Sequence, residues 1–248
     1  MKEENLKMND EISKIDIDLL KEKYPHTFDK AMDKINNGYP IQYLIGDVNF
    51  YGYKIKVDER VLIPRFETEM LVDETIKLIK NHIIEPNIID ICTGSGCIAI
   101  ALSKSLNTKV TAIDISEEAL DLALENAILN KAHVKYFKKD IKQDNIEGLY
   151  NVLISNPPYI DINTKIDKRT KYEPRIALYA QDKGLEYYKY ILSKAQTFLI
   201  KQNIIALEID PSIKEDLITL IRTYFPNGFI MPKKDLNNLD RFIFVINE

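Results

Sequence analysis

The sequence contains few of the residues that build metal centres and nucleophilic triads. Among its 248 residues are two cysteines and three histidines. Cys92 and Cys97 lie in one short glycine-containing loop with no second cysteine or histidine pair nearby, which favours packed thiols over a zinc site or a disulfide. His26, His82 and His133 are scattered and match no metal-ligand or triad spacing. We therefore expect no metal cofactor.

Other absences narrow the class of protein. No apolar run approaches the length of a membrane span, and the charged N-terminus "MKEENLKMND" does not read as a secretory signal, so we expect a cytoplasmic location. An excess of positive charge is also missing, since the formal net charge is −4 and the pI is about 5.6. Tight, sequence-independent binders of nucleic acid are usually basic, which disfavours nucleic acid as a partner, although a local basic patch remains compatible with this balance.

The chain is long enough for one substantial domain and a smaller one. "NDEISKIDIDLLKEKY" and "HTFDKAMDKINNG" favour two short helices, and the alternating run "VNFYGYKIKVD" predicts a β-hairpin. We therefore predict a small helical N-terminal domain over residues 1–45, a β-hairpin linker over 46–63 and the main domain over 64–248. The apolar residues on one side of the first helix are Ile12, Ile15, Leu19 and Leu20.

Strand-like and helix-like segments alternate through the rest of the chain. The strand-like runs are "NIIDIC", "KVTAIDI", "HVKYFKK", "NVLISN" and "NIIALEID", and the helical stretches include "GCIAIALSKSL", "SEEALDLALENAILN" and "GLEYYKYILSKAQTFLI". This order is typical of an α/β fold with a mostly parallel sheet covered by helices on both faces. Two final extended runs, "GFIMPKK" and "DRFIFVIN", predict an antiparallel pair at the sheet edge.

The first strand–helix junction, "IIDICTGSGCIAIA", carries Asp90 and the turn Thr93-Gly94-Ser95-Gly96. Glycines let a backbone approach a ligand, and the helix start beyond them offers free N–H groups to an anion such as a carboxylate. Asp114 ends the second strand, where an acid accepts hydrogen bonds from ribose hydroxyls. Asp140 follows the third strand and is placed to reach a base. Together these positions indicate an adenosine-bearing cofactor.

Two other interpretations of the loop stay open. An ordinary tight strand–helix turn uses the same glycines, with acids that only cap helices. NAD is not excluded by the loop alone, because Ala99 stands where the dinucleotide fingerprint has its third glycine, and alanine is tolerated there.

The stretch "ISNPPYI" ends the fourth predicted strand in an unusual turn. Asn156 and Pro157 each precede a proline and are held extended, so the turn is stiff. Because the prolines have no N–H, the local backbone offers only acceptors, to which Asn156 adds its side-chain carbonyl oxygen. Two fixed acceptors suit a planar –NH₂ group, and Tyr159 offers a flat face for stacking.

A planar –NH₂ group is a weak nucleophile, since its lone pair is delocalised. Acceptors whose hydrogen bonds strengthen as the nitrogen pyramidalises favour the transition state over the ground state. The electrophile must be strong and lie in line at roughly 3 Å, as a sulfonium methyl on an adenosine-bearing cofactor would. The attacked nitrogen becomes acidic, so no dedicated base is needed. The turn therefore predicts methyl transfer, and the alternative is a turn that only ends the strand, with Tyr159 packed in the core.

These residues carry a resemblance to a known family. The sequence is similar to the release factor glutamine methyltransferases (HemK/PrmC type), within the class I S-adenosylmethionine-dependent methyltransferases, over nearly everything from Pro40 to the C-terminus. The most specific segment is "LIPRFETE", followed by "YEPRIAL", "DKGLEYY" and "DLNNLDRFI". The resemblance implies a Rossmann-like fold and transfer of a methyl group from S-adenosylmethionine, leaving S-adenosylhomocysteine. It also implies the acceptor, the side-chain amide nitrogen (N5) of the glutamine in the Gly-Gly-Gln motif of peptide chain release factors, which act in translation termination.

The resemblance also assigns roles by position. The expected cofactor-binding residues are Asp90, Thr93, Gly94, Ser95, Gly96, Asp114, Asp140, Ile141 and Asn156. The expected catalytic residues at the substrate amide are Asn156, Pro157, Pro158 and Tyr159. Residues expected to support the site are Pro64, Arg65, Glu67 and Glu69. The chain departs from the family pattern at positions away from this chemistry: Phe66 replaces a second proline, Ala180-Gln181 replaces two glycines, and Asp210 replaces a glycine. Cys92 stands where glycine is frequent in the wider superfamily, a position expected to tolerate a small side chain.

Three other functions share parts of this pattern. An adenine or cytosine amino-methyltransferase shares the Asn-Pro-Pro-Tyr motif, but the acidic pI and the lack of an extra domain for a flipped base argue against it. A non-catalytic module that binds the cofactor and a partner protein is disfavoured by the intact motif. An NAD-linked oxidoreductase would show a nicotinamide-induced thermal shift, because a ligand that binds only the native state stabilises it.

Overall fold

The computed structural model describes residues 13–164 and 169–248. The start of the predicted first helix, residues 9–12 with Ile12, lies outside the described residues. The described chain is an α/β fold around one seven-stranded sheet. None of its described helices is both long enough and apolar enough to cross a bilayer.

The helices and strands follow most of the predicted segments. The helices are α1 (Lys14–Lys23), α2 (Phe28–Asn36), α3 (Ile41–Ile45), α4 (Phe66–His82), α5 (Cys97–Leu106), α6 (Glu117–Asn130), α7 (Arg175–Leu178), α8 (Glu186–Phe198) and α9 (Lys214–Tyr224). The strands are β1 (Asp47–Phe50), β2 (Tyr53–Lys56), β3 (Ile88–Ile91), β4 (Val110–Asp114), β5 (Val134–Lys138), β6 (Tyr150–Ser155), β7 (Ile160–Asp161), β8 (Tyr179–Ala180), β9 (Leu199–Glu208), β10 (Phe229–Lys234) and β11 (Asp240–Asn247).

The sheet has the strand order β10-β11-β9-β6-β3-β4-β5. Neighbouring strands from β9 to β5 are parallel, whereas β11 is antiparallel to both β9 and β10. The mostly parallel sheet with an antiparallel edge pair is therefore confirmed. The predicted helix over residues 184–200 was wrong at its end, because Leu199 has an extended backbone and pairs with Tyr150 of β6.

Helices cover both faces of the sheet. Along β6, Val152 and Ile154 pack in one cluster with α4, α5 and α6, while Leu153 packs in a second cluster with α8 and α9. Successive side chains of a strand point to opposite faces, so a central strand must be apolar along its length to serve both clusters. The parallel arrangement brings the carboxyl ends of β3, β4 and β6, where the predicted motifs lie, to one edge.

The N-terminal helices have a small apolar cluster of their own. Ser13 precedes α1 as its N-cap and forms a capping box with Asp16. Leu20 is fully buried, but Ile15 and Leu19 are exposed, so the predicted apolar side of this helix is wrong for two residues. The reason is that this small cluster covers only the side of α1 on which Leu20 lies. Its buried members are Leu20, Ala31, Ile35 and Leu44.

The β1–β2 hairpin is joined to the main sheet through a buried amide. Asn126 of α6 accepts a 2.7 Å hydrogen bond from the Lys56 N–H and donates one of 3.1 Å to the Lys56 carbonyl. The same side chain donates to the Ser95 carbonyl in the glycine loop at 3.0 Å. Buried polar groups need such partners, so Asn126 ties the hairpin and the loop to one helix. The division of the chain at residues 45 and 63 stays a prediction.

Phe66, the residue that replaces a proline of the family pattern, is the first residue of α4. We expect Phe66→Pro to raise the free energy of unfolding by about 0.5–1 kcal/mol. The first N–H of a helix has no intrahelical partner, Arg65 is already extended (φ −96°, ψ 151°), and the Phe66 side chain is 59% exposed. Urea denaturation of Phe66→Pro and of the control Phe66→Ala measures the effect. A proline variant no more stable than the alanine variant would contradict it.

Candidate active site

The glycine loop between β3 and α5 turns through three left-handed residues. Cys92, Gly94 and Gly96 have φ values of 62°, 53° and 78°. Glycine adopts this conformation freely, whereas at Cys92 it costs on the order of 1 kcal/mol. A Cβ on Gly94 would meet no atom within 4 Å. That side of the loop is therefore open to a ligand.

Asp114, at the end of β4, is hydrogen-bonded to the glycine loop. Its Oδ2 accepts a 2.9 Å hydrogen bond from the Gly94 N–H, and its Oδ1 accepts one of 2.9 Å from the Ser116 N–H. Burial raises the pKa of Asp114, and these backbone donors oppose that shift. Each carboxylate oxygen keeps a further lone pair, so the side chain can brace the loop and still accept from ribose hydroxyls.

Asp90, in β3, is fully buried. Its Oδ2 accepts a 2.6 Å hydrogen bond from the Thr93 hydroxyl, whereas its Oδ1 has no partner among the described residues. Burial raises the pKa of Asp90 to about 7, against the Thr93 hydrogen bond and with a smaller contribution from the Asp114 charge. The unpaired oxygen is an acceptor of the kind that an ammonium group, such as that of a methionine moiety, requires.

Replacing Asp90 with asparagine is expected to make stability less dependent on pH. The pKa of Asp90 is about 7 in the folded state against an ordinary 3.8. The folded state therefore retains a proton that the unfolded state releases, and this stabilising contribution is lost as the pH rises from about 4 to about 7. Between about pH 5 and about pH 8, the unfolding free energy of Asp90→Asn should rise by roughly 1–3 kcal/mol relative to wild type. Urea titrations at both pH values measure this difference, and a constant difference would contradict the assignment.

A cleft lies at the carboxyl ends of β3, β4 and β6. Its position agrees with the ligand crevice of open α/β sheets. The predicted residues that line it are Gly94, Asp114, Asp140, Ile141, Asn156 and Pro158. The predicted residues outside its lining are Asp90, Thr93, Ser95, Gly96, Pro157, Tyr159, Pro64, Arg65, Glu67 and Glu69.

The cleft combines one polar wall with apolar surfaces. Asp140 caps its own turn, because its Oδ1 accepts a 2.8 Å hydrogen bond from the Lys142 N–H, and Ile141 beside it is 4% exposed. Ile115 and Tyr187 add apolar surface to the same cleft. Acceptors for ribose, apolar surfaces for a base and an open glycine loop fit an adenosine-bearing cofactor.

Sequence reasoning missed much of the remaining lining. Two segments distant in sequence supply part of it: Arg60, Val61 and Leu62 lie between the hairpin and α4, and Pro174, Ile176 and Ala177 lie at α7. The other missed lining residues are Ile91, Cys92, Ile113, Ile115, Ser116, Ala119, Lys139 and Tyr187. The available signal was the family-like segments "LIPRFETE", "YEPRIAL" and "DKGLEYY", which contain Leu62, Pro174, Ile176, Ala177 and Tyr187.

The Asn156 side chain is part of a hydrogen-bonded chain that ends at a buried acid. Its Nδ2 donates to Thr68 Oγ1 at 3.2 Å, and the Thr68 hydroxyl donates to Glu208 Oε2 at 2.7 Å. The Tyr159 hydroxyl donates to Glu208 Oε1 at 3.4 Å. Burial raises the pKa of Glu208 to about 7, opposed by the Thr68 hydrogen bond and the Arg241 charge. Stacking by the Tyr159 ring stays a prediction.

Arg65 contacts a different buried acid. Its Nη2 donates to Glu173 Oε2 at 2.6 Å, and the Ile63 N–H donates to Glu173 Oε1 at 3.0 Å. This pairing joins "LIPRFETE" to "YEPRIAL" beside the cleft.

Glu67 and Glu69 lie in the first turn of α4, where negative charge favours the helix, and neither forms a hydrogen bond or ion pair within residues 13–164 and 169–248. Support of the site by these two acids and by Pro64 stays a prediction.

Neither cysteine forms a disulfide. Cys97 is buried in the core and Cys92 is partly exposed at the cleft, and both are free thiols. Across the part of the chain that the structure describes, no three His, Cys, Asp or Glu side chains come together as candidate metal ligands.

Comparison with known proteins shows which proteins this chain is similar to. The family model described as "Methyltransferase small domain" matches residues 67–172. A release factor glutamine methyltransferase of Lactococcus lactis is 39% identical over 216 residues, which cover 86% of this chain and 79% of the relative. One of Streptococcus pneumoniae is 41% identical over 212 residues, covering 83% and 74% of the two chains. The solved ribosomal protein L11 methylase of Lactobacillus delbrueckii subsp. bulgaricus shares the fold, with a TM-score of 0.55 and 20% identity over 78% of this chain and 84% of the other.

Proposed function

The chain belongs to the release factor glutamine methyltransferase family, and we propose that it methylates the side-chain amide nitrogen of the glutamine in the Gly-Gly-Gln motif of peptide chain release factors. The observation that supports this most directly is the orientation of Asn156. Its –NH₂ group donates to Thr68, which leaves its carbonyl oxygen as the atom able to accept from a ligand in the cleft that Asn156 lines. An acceptor at that position suits an amide –NH₂.

We propose S-adenosylmethionine as the methyl donor. The residues that would hold it are the open glycine loop at Gly94, the Asp114 carboxylate for the ribose, and Asp140 with Ile141 for the base. The unpaired Oδ1 of Asp90 would accept from the ammonium group, and the N-terminus of α5 would favour the carboxylate. When bound, S-adenosylmethionine supplies an electrophilic methyl group.

The protein's own contribution is to hold a poor nucleophile. Asn156 Oδ1 and the Pro157 carbonyl accept from the two amide hydrogens, and both bonds strengthen as the nitrogen loses its planarity and gains positive charge. Pro157 and Pro158 are buried, which fixes the backbone of the turn. The methylated nitrogen then releases its proton to solvent, so no side chain of the cleft has to act as a strong base.

An intact-mass assay tests the proposed function. Purified enzyme, S-adenosylmethionine and an unmethylated release factor should yield a mass gain of one methyl group, and peptide mapping should locate it on the glutamine of Gly-Gly-Gln. The matched control is a release factor in which that glutamine is replaced by glutamate. A gain on the control, or no gain on the native factor despite measured cofactor binding, would contradict the assignment. Labelled methyl transfer to DNA or RNA instead would support the nucleic-acid alternative, which the named relatives do not favour.

A further inference from the structure

We propose that Thr68 and Glu208 are positioning residues that fix the direction of the hydrogen bonds around Asn156 and so determine which face of its amide meets the substrate. This inference rests on the proposed function, because it concerns the same amide-binding turn. It adds two residues that the sequence motif for the turn does not contain. Both come from outside the strand that leads to Asn156: Thr68, on α4, contacts Asn156 directly, and Glu208, at the end of β9, acts through Thr68.

The direction follows from which groups can donate. A carboxylate only accepts, so the 2.7 Å contact between Thr68 Oγ1 and Glu208 Oε2 requires the Thr68 hydroxyl to donate its single proton. Thr68 then has only lone pairs left and must accept at its 3.2 Å contact with Asn156. The Asn156 –NH₂ therefore faces Thr68, and its oxygen is left for the substrate. An asparagine flipped the other way would present donors to a substrate that also donates.

Glu208 receives a second donor that reinforces this arrangement. Its other oxygen accepts from the Tyr159 hydroxyl at 3.4 Å, so one carboxylate orients residues at both ends of the Asn-Pro-Pro-Tyr turn. A glutamine at this position has one acceptor and one donor at its end. It cannot accept from Thr68 and Tyr159 together, so one of the two contacts must be lost or reversed.

The surroundings of Glu208 allow the carboxylate to change protonation near neutral pH. Glu208 is 1% exposed, and burial raises its pKa to about 7. The groups that face it are Thr68 and Glu67 from α4, Tyr159 from the turn and Arg241 from β11, and of these only Glu67 raises the pKa further. A protonated carboxyl can donate to Thr68 and remove the fixed direction, so methyl transfer should increase as the pH rises through about 7.

The first test compares four variants in single-turnover methylation with saturating S-adenosylmethionine. Thr68→Val and Glu208→Gln are expected to lower the rate constant roughly 10- to 30-fold while the dissociation constant of the cofactor changes less than about twofold. Thr68→Ser keeps the hydroxyl and should stay within about threefold of wild type. Thr75→Val is the matched control, since Thr75 is also a buried threonine of α4 but donates to the Leu71 carbonyl at 2.7 Å, and its rate should be unchanged.

The second test needs no methyl acceptor. With ¹⁵N-asparagine labelling, the Asn156 side-chain resonance is identified by its loss in Asn156→Ala. In wild type, the chemical shift of this resonance should change with pH, with an apparent pKa near that of Glu208. In Thr68→Val the shift should stay constant with pH, because the hydrogen bonds that join Asn156 to Glu208 through Thr68 are lost. A resonance that does not titrate in wild type, or equal rates for Thr68→Val and wild type, would overturn the inference. If wild type methylates no release factor, the proposed function fails, and the titration alone decides whether Thr68 and Glu208 orient Asn156.

Discussion

Asn156→Ala is expected to lower the rate of release factor methylation by roughly 100- to 1000-fold, the effect of deleting one preorganised group that stabilises a transition state. The variant removes the side-chain carbonyl that the turn offers as an acceptor and leaves the buried Thr68 hydroxyl without its Asn156 partner. Cofactor affinity should fall by less than roughly tenfold, because most of the polar lining of the cleft comes from other elements. Single-turnover kinetics with saturating cofactor, together with calorimetric titration of S-adenosylmethionine, separate the two quantities.

A second asparagine of the same strand provides the matched control. Asn151, near the start of β6, accepts from the Asn87 N–H at 2.7 Å and donates to the Glu85 carbonyl at 2.8 Å, at the end of the strand away from the cleft. Asn151→Ala should destabilise the fold and leave the rate constant for methylation within about twofold of wild type. Equal rates for the two variants, or a loss at Asn156 that is explained entirely by weaker cofactor binding, would show that Asn156 does not hold the acceptor amide.

The sequence predicts those parts of the site that consist of a few consecutive residues with a recognisable pattern. The glycine loop, Asp114 and the Asn-Pro-Pro-Tyr turn each follow directly from a strand, and parallel strands bring their carboxyl ends to one edge of a sheet. That edge could therefore be predicted from strand order alone. The left-handed backbone of Gly94 and Gly96 is local too, since glycine is the residue that adopts it without cost.

The parts that the sequence does not predict depend on contacts between distant segments. Thr68 and Glu208 are 140 residues apart in the chain, and no local pattern indicates that a threonine on α4 meets the end of β9. Arg65 illustrates the same limit, because its partner Glu173 lies far along the chain and no local pattern indicates that pairing. Residues of this kind are found only when the packing of helices on the sheet is known.

Asp90 shows how a local pattern can point to a residue but not to its contacts. Its place before the glycine loop predicted cofactor binding, which stays a prediction, and no local pattern indicated that the carboxylate is fully buried in β3 and outside the lining of the cleft. β3 pairs on both sides with apolar residues of neighbouring strands. Burial is therefore the main cause of the raised pKa of Asp90. A raised pKa of about 7 makes its ionisation depend on whether a positive group approaches the loop.

Gly184→Ala is expected to displace the backbone of the Asn-Pro-Pro-Tyr turn and so to lower the rate of methylation. Gly184 has φ +95°, and a Cβ built on it would overlap the carbonyl oxygen of Tyr159. That oxygen belongs to the backbone and cannot move without displacing the turn itself. Because a misplacement of about 1 Å can cost roughly 100-fold in rate, we expect the rate constant for methylation to fall roughly 100-fold and the free energy of unfolding to fall by roughly 2–4 kcal/mol.

Gly148→Ala separates damage to the turn from simple backbone strain. Gly148 has almost the same conformation, φ +99°, but a Cβ there would first meet the Tyr150 hydroxyl at 3.2 Å, which is a side-chain atom away from the cleft. Both variants carry the cost of a left-handed alanine, on the order of 1–2 kcal/mol, so their thermal unfolding should shift in the same direction. Only Gly184→Ala should lose methylation at a temperature where both are folded. If the two variants methylate equally well, the contact between Gly184 and Tyr159 has no part in holding the amide, and the turn is rigid through its prolines alone.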